Sequence, residues 1–284
     1  MANLLDIRRR IRSVKNTQQI TKAMKMVSTA KLRRAKERVL NARPYANEIV
    51  VILNSMVMRA EQKPHPLLEE RGDDKILVAV VTADKGLCGA FNANVIKAAQ
   101  AFMNQNRGKT VTLACIGRKG RDFFRRHSVP IALEHINLSD LSYDRAKGIA
   151  GQLMEAYIHR TFDVICVIYN EFKSVIQQRI VVERLLPLQQ LKTSHEQHAI
   201  DYIYEQPPEE IFNSLIPRYV EVQVYRALLE STAAEHGARM TAMEAATNNA
   251  TELIDALTLS MNRARQAGIT NEIIEIVSGA AALE

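Results

Sequence analysis

Read from the amino end, apolar residues fall at Leu4, Ile7, Ile11 and Val14 and again at Ile20, Met24 and Val27, in the three- and four-residue steps of one helical face. From residue 3 to about residue 60 the chain has no Gly and one Pro, Pro44, so the pattern predicts a single long helix, bent if anywhere at that proline. At 1.5 Å per residue such a helix runs roughly 80 to 90 Å, about twice the width of a small domain, and must protrude. The carboxyl end mirrors it. Pro207 and Pro208 close what precedes them and can open a helix, and the pattern then stays helical to residue 284, with breaks expected only at Pro217, Gly237, Gly268 and Gly279. Val222, Leu229, Ala233, Met240, Met243, Ala250, Ile254, Leu257, Met261 and Ala264 form its stripe, with Arg226, His236 and Thr247 as exceptions. Small and flexible residues in such a stripe suit a close-packed coiled-coil seam. Two striped helices in one chain most simply bury their stripes against each other, which predicts an antiparallel coiled coil of the two termini.

The middle has a different pattern. Strand-like runs occupy Lys75–Thr82, Thr110–Ile116, Ile131–Ile136, Phe162–Tyr169, Ile180–Leu186 and Ile200–Tyr204. Helical stretches near 93–106, 118–126 and 143–160 separate the first four, as crossover connections in a parallel sheet require. The later strands follow without a helix between them, so at least one pairs antiparallel. The fold class is therefore α/β: a long antiparallel coiled coil of N- and C-terminal helices plus a central Rossmann-like α/β domain. The divisions fall at 1–60, 75–205 and 207–284, and Glu61–Asp74 reads as a polar linker.

Composition sharpens this picture in two ways. Trp is absent and aromatic residues make up only 5%, so the core is aliphatic, with Ala and Met. The net charge of +7 is concentrated, since residues 1–43 carry thirteen Lys or Arg against Asp6 and Glu37, leaving the rest of the chain slightly acidic. A basic segment of that density calls for an anionic partner surface: nucleic acid, an anionic membrane or an acidic protein collar. Against a zipper-type nucleic-acid binder, the basic residues overlap the apolar stripe instead of preceding it, and the seam is not Leu-rich. No apolar run approaches the ~18 to 20 residues that span a bilayer, and Met1 leads into a charged helix without a signal-peptide core.

Candidate chemistry is sparse. The loop Thr82–Asn92 follows a strand and precedes a helix, where doubly wound domains bind phosphates, yet Gly86 and Gly89 fit neither dinucleotide nor P-loop spacing. A tight turn is the simpler reading. Cys88 in this loop, with Cys115 and Cys166, reads as a packed thiol, and His195 with His198 lacks partners at metal-ligand spacing. Asp84 with Lys85, or Glu171 with Lys173, are adjacent opposite charges without a nucleophile to serve. The expectation is no catalytic, cofactor or metal residue.

Three segments carry a resemblance. The amino helix Ile7–Val27, the loop Asp84–Asn92 and above all the tail, with Gly237-Ala-Arg-Met-Thr-Ala-Met-Glu-Ala-Ala-Thr-Asn-Asn249 and Arg263-Ala-Arg-Gln-Ala-Gly-Ile-Thr-Asn-Glu-Ile-Ile-Glu-Ile-Val-Ser-Gly-Ala280, closely resemble the gamma subunits of F-type ATP synthases, in order along the whole chain. The resemblance implies a non-catalytic rotor without cofactor. Its terminal helices form a shaft within a hexamer of alpha and beta subunits, and its α/β domain is a foot on the epsilon subunit and the membrane-embedded c-ring. It further implies no nucleic-acid partner and a peripheral place on the cytoplasmic side of a bacterial cell membrane, reached only through the complex. Met24 and Lys25 match positions facing an acidic lever of beta, and Arg239, Arg265, Gln266, Thr270 and Glu272 match positions touching catch loops of the surrounding subunits. Ile273, Ile274, Ile276, Val277 and Ala280 would be an apolar bearing tip. The competing class is a nucleotide-dependent α/β enzyme with helical arms.

Overall fold

The computed structural model describes residues 4–57, 65–138, 141–175, 177–188 and 208–281. The expected strand Ile200–Tyr204 and the pair His195 and His198 lie outside them. The chain divides into two compact units, Met1–Ser28 with Met240–Glu284, and Thr29–Arg239. Two helices supply residues to both: α1, Leu4–Val57, and α5, Pro208–Ala281. Pro44 and Pro217 sit inside these helices, and none of Pro217, Gly237, Gly268 or Gly279 interrupts α5. Pro208 opens α5, where a missing N–H costs nothing.

In the larger unit the five strands are β1 (Lys75–Val81), β2 (Thr110–Ile116), β3 (Ile131–His135), β4 (Val164–Phe172) and β5 (Gln178–Leu186). They form one sheet in the order β3-β2-β1-β4-β5, the first four parallel and β5 antiparallel to β4. The crossovers are α2 (Phe91–Gln105), α3 (Arg118–Arg126) and α4 (Tyr143–Ile158). Ile76, Val78 and Val80 of β1, Leu113 and Cys115 of β2, and Val164, Cys166 and Ile168 of β4 share a dry core with Val95 and Ala99 of α2 and Phe124 of α3. Because side chains alternate along a strand, Leu77, Ala79, Ile165 and Val167 serve the opposite face, and they too are buried. A central strand buried on both sides is why β1 reads as an unbroken aliphatic run instead of an alternating one.

The described part of Glu61–Asp74 is not a loose linker. Leu67 is fully buried, its carbonyl accepts Leu188 N, and the Tyr157 hydroxyl donates to the Glu69 carbonyl at 2.6 Å. Arg71 lies over the Tyr157 ring and donates to the Tyr157 carbonyl, with Glu69 as its ion partner. The polar side chains that suggested a linker are spent on pinning this segment to α4.

In the smaller unit the helices run antiparallel, as Gln18 Nε2 donates to Thr251 Oγ1, Thr21 meets Thr247, and Lys25 meets Glu244. All ten residues of the α5 stripe, across both units, are buried or half-buried. The α1 stripe departs from the expected one. Ile20 and Val27 are 59% and 56% exposed, whereas Leu4, Ile7, Ile11, Val14, Gln18, Thr21, Lys25 and Ser28 are buried or half-buried. Those positions keep a strict 3.5-residue period, so the seam continues through polar residues after Val14. Gln18, Thr21 and Lys25 are tolerated there because each finds a polar partner across the seam.

Candidate functional site

The turn after β1 is stapled from within. Three successive N–H groups opening α3 are taken by the preceding loop: Arg118 N donates to Asp84 Oδ1 (3.0 Å), Lys119 N to the Ala83 carbonyl (3.1 Å) and Gly120 N to Thr82 Oγ1 (2.9 Å). The other Asp84 oxygen accepts Leu138 N at 2.8 Å. A helix start attracts anions through unpaired N–H groups and its dipole, and here the chain's own carboxylate fills that role. At the start of α2, Asn92 Oδ1 accepts Ala83 N and its Nδ2 donates to Cys88 Sγ, while Phe91 N donates to the Cys88 carbonyl. Leu87 and Gly89 take positive φ, 60° and 55°, to make this turn. Burial raises the Cys88 pKa above the usual thiol value, which suits a packed thiol and not a nucleophile. The arrangement is a tight structural turn, with the start of α3 filled by the chain's own loop.

A cleft of about 300 Å³ lies beside this turn, lined among others by Lys31, Arg34, Lys85, Glu235, His236 and Arg239. Arg239 is only 9% exposed, and its guanidinium binds Glu235 at 2.7 Å and the Gly86 carbonyl at 3.3 Å. His236 is driven down to a pKa of about 4, first by burial and then by Arg239 and Lys31. It is therefore neutral in the folded state at pH 7, while the unfolded imidazole titrates near 6.5. A depressed folded pKa gives stability that is whole above the unfolded value and drains as pH falls from about 6.5 through about 4. Urea unfolding should show a steeper loss of stability over that window for the native sequence than for His236→Gln. Parallel pH profiles would refute it.

In the smaller unit Met24 and Lys25 are half-buried. Lys25 Nζ donates to Glu244 Oε1 at 2.6 Å, with the two side chains 37% and 49% exposed, so the pair contributes at most ~1 kcal/mol and can be exchanged for another acidic partner. Further along α5 the picture changes. With Gln18 opposite Thr251, Leu4 stands opposite about residue 265, where the described part of α1 ends. Every residue from 265 to 279 is exposed, including Arg265, Gln266, Thr270 and Glu272. Ile273 and Ile274 are each 55% exposed, Ile276 72% and Val277 61%. Ala280 is in the helix, but its surroundings lie outside the described side chains. The structure thus brings Arg265, Gln266, Thr270, Glu272 and the apolar tip onto one stretch of helix, and leaves Arg239 inside the larger unit. Sequence reading missed the polar seam partners Gln18, Thr21, Glu244 and Thr251. The signal was present, since the 3.5 period set by Leu4, Ile7, Ile11 and Val14 points next to Gln18 and Thr21.

Comparison with known proteins adds three findings. A family model described as ATP synthase matches residues 3–283. The ATP synthase gamma chain of Solibacter usitatus is 51% identical, and that of Geobacter sp. strain M21 50%, each match covering 100% of both chains. Among solved structures, a chain of the Tetrahymena thermophila mitochondrial ATP synthase central stalk and c-ring is 28% identical with a TM-score of 0.62, covering 80% of this chain and 99% of that one. A chain of the Euglena gracilis mitochondrial ATP synthase rotor shares the fold at 18% identity, with a TM-score of 0.66 over 94% of this chain and 98% of that one.

Proposed function

The chain belongs to the ATP synthase gamma chain family, and from that premise we propose that it is the non-catalytic rotor of a bacterial F-type complex. Residues 1–60 and 207–284 serve as the coiled-coil shaft and 75–205 as the foot. The alpha and beta subunits surround the shaft, and the epsilon subunit and c-ring hold the foot. No described helix is long and apolar enough to cross a membrane, which agrees with attachment through the complex on the cytoplasmic side of the cell membrane.

The observation that carries this reading is the helix from residue 265 to 279, exposed at every position, whose isoleucines have no partner among the described residues. Exposed apolar surface of that kind marks an interaction site. An apolar sleeve around it has few directional bonds to break as the helix turns, so Ile273, Ile274, Ile276, Val277 and Ala280 act as the bearing. Arg265, Gln266, Thr270 and Glu272 just before it offer directional contacts that form at some angles only, and Met24 with Lys25 does the same against an acidic surface. Differential contact of this sort is what a ligand or neighbour needs to shift one beta subunit toward open and another toward closed. Arg239, committed to Glu235 and the Gly86 carbonyl, acts from inside by fixing the loop at Gly86.

The test is direct. With the hexamer immobilised on glass, a label on this chain should turn when ATP is added, and the isolated chain should hydrolyse none. A label that stays still while the complex hydrolyses ATP would end the proposal.

A further inference from the structure

Glu230 is a carboxylate that follows Ala227, Leu228 and Leu229 on α5, with its side chain 5% exposed. It is fully employed. One oxygen, Oε1, accepts from Arg43 of α1 (Nη2 at 2.8 Å and Nε at 3.1 Å), and the other, Oε2, accepts the backbone N–H of Phe172 at 3.0 Å. Arg43 Nη2 also donates to the Phe172 carbonyl at 3.4 Å. The three groups close a polar triangle between α1, α5 and the last residue of β4, all inside the larger unit. The Phe172 ring adds a fourth contact, packing where a Cβ on Gly237 would meet it at 3.6 Å. Two further rungs join the same face of α5 to β5: Arg226 Nη2 spans both Glu183 oxygens at 3.1 and 3.0 Å, and Gln178 Nε2 donates to the Ala234 carbonyl at 3.0 Å. Positions 226, 230, 234 and 237 recur at helical steps.

We propose that this clasp of Arg43, Glu230 and the Phe172 peptide is the contact through which turning force passes between the sheet and the two helices. The inference rests on the rotor reading above. Apolar packing is non-directional and lets a helix roll on its bed at little cost. A side chain about 5 to 6 Å from the helix axis moves ~1 Å in a 10° roll, enough to take a 2.8 to 3.0 Å hydrogen bond past its useful range. A buried carboxylate held by three donors from two other elements therefore resists rolling as an aliphatic residue of the same size could not. Arg43, Glu230 and Phe172 are positioning residues, since none needs to touch a catalytic subunit.

The experiment uses the assembled complex in membrane vesicles, with Glu230→Gln, Arg43→Lys and the double variant. Protons pumped per ATP hydrolysed should fall about threefold in each, with hydrolysis per assembled complex held within about twofold. The angular jitter of a bead on the immobilised complex should widen. The double variant should lose little more than either single one, because both break the same triangle. A merely structural role would lower the yield of complex while leaving pumping ratio and jitter native, and that result overturns the clasp. Should Glu230→Gln not assemble, Arg43→Lys, changed at a side chain 41% exposed, decides alone. If the native complex shows no rotation of a label on this chain, the rotor reading fails and takes the clasp with it, whereas a native complex that rotates and variants that pump and jitter as it does sink the clasp alone.

Discussion

Gly117→Ala should cost this protein most of its folded yield. Gly117 joins β2 to α3 with φ at +104°, a conformation that L-residues rarely adopt. A Cβ added there would stand 2.0 Å from the Thr82 carbonyl oxygen and 2.6 Å from its carbon. Both are backbone atoms of the turn after β1, so no rotamer change relieves the overlap. The turn would have to withdraw, and it holds Thr82 N on the Ile116 carbonyl, Gly120 N on Thr82 Oγ1 and Lys119 N on the Ala83 carbonyl. Backbone strain of ~1 to 3 kcal/mol is thus joined by the loss of several buried hydrogen bonds at ~1 kcal/mol each. The sum is a large share of a domain's net stability. Gly120→Ala is the matched comparison. Its Cβ would approach the Thr82 side chain at 2.9 Å, so the buried Thr82 hydroxyl must shift and its bond from Gly120 N is strained, but no backbone atom is struck, and Ala is the better helix former by about 1 kcal/mol. Thermal melting should place Gly120→Ala far above Gly117→Ala; equal melting points would show that the strained turn does not matter.

The comparison of the two glycines also shows where sequence reading reached and where it stopped. Strand positions and sense were legible because the first four strand-like runs are each separated from the next by a helix-length segment, and a parallel sheet needs such crossovers. The antiparallel β5 followed from the missing helix before it. Gly117 was invisible, because its demand arises from Thr82, 35 residues away in sequence and adjacent only once β1 and β2 pair.

The seam of α1 failed for a different reason. Apolar residues alone were tracked, and they jump from Val14 to Ile20, so Ile20 and Val27 were placed on the buried face when each is more than half exposed. The period was right up to Val14 and then passed into Gln18, Thr21, Lys25 and Ser28, whose polarity hid it. Polar residues at seam positions trade stability for a defined register. Glu230 was hidden in the same way, as a buried charge that makes sense only with Arg43 and the end of β4 beside it. In both cases the missing information was the partner, which lies far off in the chain, 58 residues away for Phe172 and 187 for Arg43. The helix over 265–279 was legible from its period, whereas the role proposed for its exposed residues rests on the family resemblance.

Its exposure among the described residues makes the tail the site of the largest expected functional effect. Ile273, Ile276 and Val277 are 55%, 72% and 61% exposed, so changing all three to Asp removes little buried surface from the isolated protein. Its melting temperature should stay within about 5 °C of the native value, as exposed substitutions usually shift stability by no more than ~0.5 kcal/mol each. Inside an apolar sleeve the same three carboxylates must shed their water, at several kcal/mol each when nothing pairs them. With ~1.4 kcal/mol equal to a factor of ten, ATP synthesis by vesicles carrying the variant should drop at least tenfold, through failed insertion or an arrested shaft. The apolar set Ile273→Leu, Ile276→Leu and Val277→Ile keeps the surface greasy while changing its shape, and should retain most of the activity if a smooth bearing is all that is required. A loss as deep as that of the Asp variant would mean that the tip is recognised side chain by side chain, and the bearing would have to be abandoned in favour of a fitted socket.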